Sequence, residues 1–345
     1  MYLHALATAV PDHTFTQAQC WDIVQHSGVK ARLSRRSALT LHGILRGDHG
    51  IETRHFAMND ATRVFDLNAD ELNANFLREG PALAERALRR ACEESGIPLD
   101  SIDALLICTC TGYLCPGLTS YVSERCRLRT DVFLQDLVGL GCGAAIPTLR
   151  AASHIVASRP DATVACIAVE ICSAAFYLDD DTGVLVSACL FSDGAAATLW
   201  RATARHASAL RCFGFQTLHL PAQRDHLRFE QRDGKLRNLL DRSVPSFAAG
   251  AVETLWHQRG PRPVSAVVAH PGGRDVLDAL TPVVAPYPLD ASRETLRRFG
   301  NMSSPSVLFA LEETLRRGTD TSAGDLWLVS FGAGFSAHAC RLGAA

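Results

Sequence analysis

The stretch Ala104-Leu-Leu-Ile-Cys-Thr109 is apolar at almost every position. An apolar run of this length without alternation predicts a strand that is covered on both faces of a sheet. Four further runs of this kind lie at residues 163–169, 195–200, 266–269 and 326–331. Helical patterns lie between these runs, near residues 81–96, 143–158, 246–259, 273–280 and 304–317. Strands that alternate with helices in this way predict an α/β fold built in layers.

The length of the chain allows more than one packing unit. At about 150 residues per domain, its 345 residues predict two units or one large fold made of two halves. Each half carries a strand, a glycine-containing turn and a helix of small residues in similar order. We place the junction after the strand signal near Trp200, which gives an N-terminal half of residues 1–202 and a C-terminal half of residues 203–345.

The composition excludes several classes of function. Hydrophobic residues make up 47% of the chain and charged residues 20%, which is typical of a globular protein. A formal net charge of −2 gives no overall basic field, so we expect no nucleic-acid partner. No apolar stretch approaches the roughly 20 residues that cross a bilayer, and no export signal is visible. We therefore expect a cytoplasmic protein without an integral membrane segment, whose twelve cysteines stay reduced.

One cysteine lies where a nucleophile is expected. Cys142 is part of the tight turn Gly141-Cys142-Gly143, which leads into a helix of small residues. The positive end of that helix favours a thiolate, and a thiolate paired with an imidazolium is an effective nucleophile. The flanking glycines leave room for a substrate carbonyl. A buried cysteine at a close backbone crossing explains the same segment equally well.

Two further residues have places suited to a site. His270 directly follows the strand signal that ends at Ala269, and Asn301 lies just before the helix predicted from residue 304. The amide of Asn301 can donate to a developing oxyanion, although caps and turns also use asparagine there. Two chemistries use a set of cysteine, histidine and asparagine: a cysteine hydrolase and a decarboxylative condensing enzyme. Spacing alone leaves both open.

Four segments, in a fixed order and spacing, resemble the signature elements of the type III polyketide synthases, the chalcone and stilbene synthase family. They are Gly141-Cys142-Gly143, Ala269-His270-Pro-Gly-Gly273, Gly300-Asn301-Met-Ser-Ser304 and Phe331-Gly-Ala-Gly-Phe335. The resemblance extends from about Gly50 to Phe335. The block after Gly300 is the most specific element, because related condensing enzymes have other residues after the asparagine.

The resemblance implies a thiolase-like fold, with two similar α/β halves in five layers, that works as a homodimer. It implies that Cys142 carries the acyl chain while His270 and Asn301 bind thioester oxygens. The substrates are then acyl-CoA and malonyl-CoA, and the reaction needs no metal and no cofactor besides these thioesters. Phe176 matches a family phenylalanine at the cavity mouth, and Arg54 lies near the region that binds CoA phosphates, which arginine grips well.

Departures from the plant members bear on the product. Cys110 and Cys115 occupy a loop where plants have threonine and methionine, and Cys115 is expected at the tip that reaches into the partner's cavity. Arg237 or Asn238 replaces a second family phenylalanine. These smaller walls predict room for a long chain, and each buried methylene adds roughly 0.8 kcal/mol.

We therefore expect a medium or long fatty acyl starter, and an alkylpyrone or alkylresorcinol product. A malonyl-CoA-only route to an aromatic such as tetrahydroxynaphthalene is the alternative within the family. A cysteine hydrolase that acts on thioesters is the alternative of a different class.

Overall fold

The computed structural model describes residues 1–58, 63–206 and 209–344. The strands within these ranges are β1 (Tyr2–Ala9), β2 (Thr14–Thr16), β3 (Thr53–His55), β4 (Ala104–Thr109), β5 (Phe133–Val138), β6 (Val164–Glu170), β7 (Gly194–Arg201), β8 (Leu210–His219), β9 (Leu227–Arg232), β10 (Lys235–Leu240), β11 (Val264–Ala269), β12 (Asp325–Gly332) and β13 (Ser336–Ala344). The helices are α1 (Gln17–His26), α2 (Arg35–Arg46), α3 (Ala69–Ser95), α4 (Leu118–Cys126), α5 (Ala145–Ser158), α6 (Thr182–Leu190), α7 (Val244–His257), α8 (Arg274–Leu280), α9 (Asp290–Phe299) and α10 (Ser306–Arg316). Each of the five apolar runs is a strand, as the sequence predicts.

Nine strands form one mixed sheet, in the order β11-β12-β13-β8-β1-β7-β6-β4-β5. In the first half, β4 pairs parallel with β5 and β6, and the pairs from β6 to β7 and from β7 to β1 are antiparallel. In the second half, β11 pairs parallel with β12, and the pairs from β12 to β13 and from β13 to β8 are antiparallel. The two halves therefore repeat one pairing pattern, and they meet where Tyr2 of β1 pairs with Arg211 of β8.

Alternate residues of the strands enter different cores. Leu106 packs in a central core with α5 and α10, whereas its neighbour Leu105 packs against α3 and α4 on the outer side. In the second half, Leu328 enters the same central core and Trp327 packs against α7 and α8. This gives five layers, with two helical outer layers, two sheet layers and a central helical layer. The expected thiolase-like α/β fold is confirmed, whereas the boundary between residues 202 and 203 stays a prediction.

The long helix α3 differs from the sequence-based expectation of a helix at residues 81–96. It begins at Ala69, because the side chain of Asn68 accepts a hydrogen bond from the backbone of Glu71 and the Glu71 side chain accepts one from the backbone of Asn68. Pro81 lies inside the helix. No helix within the described ranges is long and apolar enough to cross a membrane.

Candidate active site

The turn that carries Cys142 is held from the other half of the molecule. A short 3₁₀ turn, Gly141–Gly143, follows β5 and precedes α5, and Gly141 has φ +57°. Gly332, at the end of β12, passes so close that a Cβ there would lie 2.6 Å from the backbone nitrogen of Gly143 and 2.8 Å from that of Cys142. The segment is therefore a close backbone crossing, and this crossing fixes the position of the thiol.

His270 and Asn301 are also fixed by backbone contacts. The backbone N–H of His270, directly after β11, donates to the carbonyl oxygen of Val329 at 2.8 Å. Nδ2 of Asn301 donates to the carbonyl oxygen of Gly272 at 3.0 Å, and its Oδ1 accepts from the backbone N–H of Ser303 at 2.8 Å. These two bonds set the orientation of the amide and leave its second N–H hydrogen uncommitted.

One cavity of about 460 Å³ brings Cys142, His270 and Asn301 together. Its wall is largely apolar, with contributions from α6, from the segment after β10 and from the turn after His270, and the apolar residues include Val186, Leu190, Phe191, Leu227, Leu240, Val276 and Phe331. Cys142, His270 and Asn301 are the three residues that the sequence analysis selected as a candidate catalytic set. We call this cavity the main cavity.

Burial determines the protonation of the thiol and the imidazole. It raises the pKa of the Cys142 thiol to about 12 and lowers the pKa of His270 to about 3. Both groups are therefore neutral near pH 7 in the unliganded protein, in contrast to the thiolate and imidazolium expected from the sequence. Nδ1 of His270 has no hydrogen-bond partner among the described residues, and the ring meets Phe331 edge to face at 5.3 Å.

A chain of hydrogen bonds connects the nucleophile to a buried carboxylate. The hydroxyl of Ser303 donates to Sγ of Cys142 at 3.2 Å and lies 3.2 Å from Sγ of Cys110. The thiol of Cys110 in turn donates to Oε1 of Glu170 at 3.3 Å. Cys110 therefore lies close to Cys142 and connects two polar groups there, but it does not line the main cavity, and its role in the cavity wall stays a prediction.

Glu170 is fully buried at the end of β6, and its pKa is raised by that burial. Its Oε1 also accepts from Ser304, and Oε2 accepts from Thr109 Oγ1, Cys110 N, Thr111 N and Thr111 Oγ1. Sequence reasoning missed this residue. The available signal was a glutamate directly after an apolar run, since a charge at that place needs buried partners.

Phe176 is not at the mouth of the main cavity. Its ring stacks with Phe65 at 5.8 Å and meets Phe56 edge to face at 5.4 Å, in a core with α1 and α2. It lines two small cavities, and one of these also borders Ser303. Phe191, which the sequence analysis did not select, lines the main cavity.

Two arginines that the sequence analysis expected to bind substrate form hydrogen bonds within the protein instead. Arg54 is 2% exposed, and its guanidinium donates to the carbonyl oxygens of Ala188 and Phe191 at 2.6 and 3.0 Å. It therefore holds the segment that carries Phe191 and presents no open fork to a phosphate.

Arg237 is similarly committed. Its guanidinium donates to Asp179 at 2.8 Å and to Glu230 at 2.9 Å, and it lies 3.6 Å from Asp181. Arg237 joins β9 and β10 to the segment before α6, outside the main cavity. Its neighbour Asn238, the other residue considered at that place, lines one of the small cavities.

Cys115 lies apart from the other predicted residues. It is exposed on the loop between β4 and α4 and does not line the cavities described here. Its contact with a partner's cavity stays a prediction.

Comparisons with known proteins identify the family of this chain. A model of the FAE1/type III polyketide synthase-like proteins matches residues 30–217, and the model of the C-terminal domain of chalcone and stilbene synthases matches residues 219–341. The chain belongs to the type III polyketide synthase family. The expected resemblance is thus confirmed, and the protein is an enzyme of the acyltransferase class.

Relatives and solved structures cover almost the whole chain. A 1,3,6,8-tetrahydroxynaphthalene synthase from Streptomyces peucetius is 29% identical over 97% of this chain and 90% of its own length. A phloroglucinol synthase from Pseudomonas fluorescens is 25% identical over 95% of each chain. The crystal structure of 1,3,6,8-tetrahydroxynaphthalene synthase from Streptomyces coelicolor superimposes with a TM-score of 0.88 at 24% identity, covering 100% of this type III polyketide synthase and 99% of that chain.

Proposed function

We propose that this enzyme builds an aromatic polyketide from malonyl-CoA alone, by decarboxylative condensation on Cys142 followed by cyclisation. The observation that carries the chemistry is the convergence of Cys142, His270 and Asn301 in one buried cavity. CoA thioesters are the substrates, and the steps below use no further cofactor.

The first step forms an acyl-enzyme. The neutral imidazole of His270 takes the proton of the Cys142 thiol as the sulfur attacks the thioester carbonyl. The developing oxyanion accepts a hydrogen bond from the free N–H of Asn301. A new carbon–sulfur bond to Cys142 forms, the bond to CoA breaks, and CoA leaves as a thiol with the proton from His270.

The second step generates the carbon nucleophile. Malonyl-CoA loses carbon dioxide, and the electron pair of the broken bond becomes an enolate whose charge lies on the thioester oxygen. N–H donors of His270 and Asn301 stabilise this oxygen, and one such donor typically contributes about 2.7–4 kcal/mol. The enolate carbon then attacks the acyl-Cys142 thioester, which releases the thiolate and leaves a longer chain on CoA.

The relatives support the choice of malonyl-CoA as sole building block. They include synthases of 1,3,6,8-tetrahydroxynaphthalene, phloroglucinol and 3,5-dihydroxyphenylacetyl-CoA. Within each ring of these products the hydroxyls lie on alternate carbons. Successive addition of two-carbon units produces this pattern. The fatty acyl starter with an alkylpyrone or alkylresorcinol product stays a prediction, which the largely apolar wall of the main cavity favours.

We also propose a homodimer in which the outer edge of the sheet is covered. Phe133 and Val138 on the edge strand β5 are 49% and 52% exposed, and Tyr113 on the neighbouring loop is 73% exposed. Apolar side chains on an exposed sheet edge are typical of a surface that a partner covers. Sedimentation at working concentration tests this assembly. The cytoplasmic location stays a prediction.

Incubation with malonyl-CoA alone tests the proposed function. We expect release of carbon dioxide and a hydroxylated aromatic product, identified by mass spectrometry, without any added starter. A strict need for a fatty acyl-CoA contradicts the malonyl-only route. Rapid release of free acid from an acyl-CoA, without condensation, favours the hydrolase instead.

A further inference from the structure

Two buried polar side chains without hydrogen-bond partners line the same small cavity. Ser187 on α6 is 4% exposed and Asn238 on β10 is 8% exposed. Among the described residues, Oγ of Ser187 and Oδ1 of Asn238 have no hydrogen-bond partner. A buried polar atom without a partner destabilises a protein, so two of them on one wall indicate that a ligand supplies the missing bonds.

Two other polar side chains of this cavity, those of Thr111 and Ser303, are already occupied. Oγ1 of Thr111 donates to Glu170 and accepts from the backbone of Ile171, and Oγ of Ser303 contacts Cys142 and Cys110. Much of the remaining wall is apolar and includes Ala175, Phe176, Val184, Ala188, Phe191 and Phe229. Ser187 and Asn238 therefore supply two buried polar atoms without partners, among the described residues, in a largely apolar pocket.

The size of this cavity limits what enters it. Its volume of about 20 Å³ holds one oxygen-sized group. Phe176 closes its far side, where the ring packs on Phe65 and Phe56.

The cavity lies beside the nucleophile. Ser303 lines it, and the hydroxyl of Ser303 is 3.2 Å from Sγ of Cys142. Phe191 borders both this cavity and the main cavity. A chain bound to Cys142 or drawn from the main cavity therefore reaches this pocket with one of its first functional groups.

We propose that Ser187 and Asn238 form an oxygen-binding subsite, which holds a carbonyl or enol oxygen of the growing poly-β-keto chain and disfavours an alkyl starter. The inference rests on the proposed function and names a specificity determinant for it. Asn238 accepts from an enol hydroxyl, and Ser187 either donates to a carbonyl or accepts from an enol. A site built to bond an oxygen rejects an analogue without it, because its own polar atoms are then left unpaired.

Replacement of each polar group tests the subsite. Ser187→Ala and Asn238→Leu remove the two groups, and Ser246→Ala, which removes an exposed hydroxyl on α7, is the matched control. Each protein receives malonyl-CoA with and without hexanoyl-CoA, and the products of the two routes are counted by mass spectrometry. We expect the ratio of hexanoyl-primed to malonyl-primed product to rise about tenfold in each apolar variant. The control keeps the wild-type ratio.

A second pair of variants separates the hydroxyl from side-chain volume. Ser187→Thr and Ser187→Val add the same bulk, but only threonine retains the hydroxyl. We expect Ser187→Thr to keep the malonyl-primed product in preference to the hexanoyl-primed one, and Ser187→Val to lose that preference.

Several results overturn the subsite. The subsite is excluded if Ser187→Ala and Asn238→Leu fold but keep the wild-type product ratio. It is also excluded if Ser187→Thr and Ser187→Val give the same product ratio. A wild-type enzyme that prefers hexanoyl-CoA also contradicts it. If the wild-type protein makes no polyketide from any thioester, the proposed function itself fails, and that result is distinct from an unchanged ratio.

Discussion

The two halves of the molecule place different groups at the same position of one pattern. Strand β4 in the first half of the sheet pairs parallel with β6, and strand β11 in the second half pairs parallel with β12. Cys110 directly follows β4, and His270 directly follows β11. The thiol of Cys110 donates to Glu170, a carboxylate that is bonded by several neighbours. Nδ1 of His270, although equally deep in the protein, has no hydrogen-bond partner within the described part of the chain. The repeated scaffold thus carries a saturated polar cluster after β4 and an unsaturated base after β11.

This difference separates structural from chemical roles. A buried acid with all its partners is a framework group, because its removal leaves many donors unpaired. A buried base without a partner costs stability, and such a group is retained where a reactant supplies the missing bond. We therefore expect substitutions near Glu170 to act mainly on folding and substitutions at His270 to act mainly on turnover.

The largest expected effect is the loss of the nucleophile that lies between the two regions. Cys142→Ala removes the atom that carries the chain, so product formation should fall by at least about 10³-fold. Mass spectrometry of the intact protein after incubation with malonyl-CoA should show no acyl adduct, whereas wild type shows one. Cys92→Ala, at a buried cysteine of α3 that lines none of the cavities described here, is a control for general cysteine loss. Retained polyketide formation in Cys142→Ala would exclude this nucleophile.

The donors of the second half come next. His270→Ala or Asn301→Ala removes one N–H that faces the enolate oxygen, and the rate of malonyl-CoA decarboxylation should fall about 10²–10³-fold. The assay follows carbon dioxide release from malonyl-CoA, which needs no condensation. Equal rates for wild type and both variants would contradict the oxyanion role.

The sequence predicted the strands, and it selected Cys142, His270 and Asn301 as candidate site residues, because each of these predictions depends on local pattern. The five apolar runs are strands because side chains on both faces are buried. Cys142, His270 and Asn301 stand directly at element ends, where turn residues such as Gly141 and Gly300 indicate their places. A local pattern of this kind is visible without knowledge of the tertiary fold.

The local sequence pattern could not predict which groups surround the arginines and the aromatic residues. Arg54 was expected at a phosphate, yet it bonds two carbonyl oxygens that lie more than 130 residues away in sequence. Phe176 and Phe191 are both phenylalanines near small residues, and the packing of distant helices decides which one borders the main cavity. The sequence analysis did not use the local signal for the hairpin of β9 and β10, which is the pair Asp233-Gly234. Both residues have positive φ angles in the structure.

The third prediction concerns the saturated cluster of the first half. Glu170→Ala leaves the hydroxyls of Thr109, Thr111 and Ser304 and two backbone N–H groups without their acceptor. The free energy of unfolding should fall by about 3 kcal/mol, measured by urea denaturation. Glu170→Gln keeps one acceptor oxygen and should lose about 1 kcal/mol. If Glu170→Ala is as stable as wild type, the cluster is not a framework group.

The unsaturated base should give a distinct pH dependence. Burial lowers the pKa of His270 from 6.5 to about 3, so between these values the unfolded chain binds one proton more than the folded protein. Stability from this group is therefore complete above pH 6.5 and declines as pH falls, by about 1.4 kcal/mol per pH unit. Asp193, whose pKa burial raises to about 6, acts in the opposite direction. Comparison of wild type with His270→Gln cancels the contribution of Asp193, which is present in both proteins.

Urea denaturation of the two proteins at pH 7, 6 and 5 measures this difference. The stability of wild type relative to His270→Gln should be constant above pH 6.5 and fall below it. A difference that does not change with pH would mean that His270 has the same pKa in the folded and the unfolded protein, which would contradict a pKa lowered by burial.

The smallest expected effect lies at Cys110, which connects the saturated cluster to the nucleophile. Cys110→Ser keeps a donor between Ser303 and Glu170, so turnover of malonyl-CoA should change by less than about threefold. Cys110→Ala breaks the chain of hydrogen bonds, and the hydroxyl of Ser303 then loses one of its two sulfur contacts. We expect the rate of Cys142 alkylation by iodoacetamide to change about fivefold in the alanine variant, since a lost hydrogen bond is worth about 1 kcal/mol. Equal alkylation rates in the serine and alanine variants would show that Cys142 is independent of the cluster, and the two regions would then act separately.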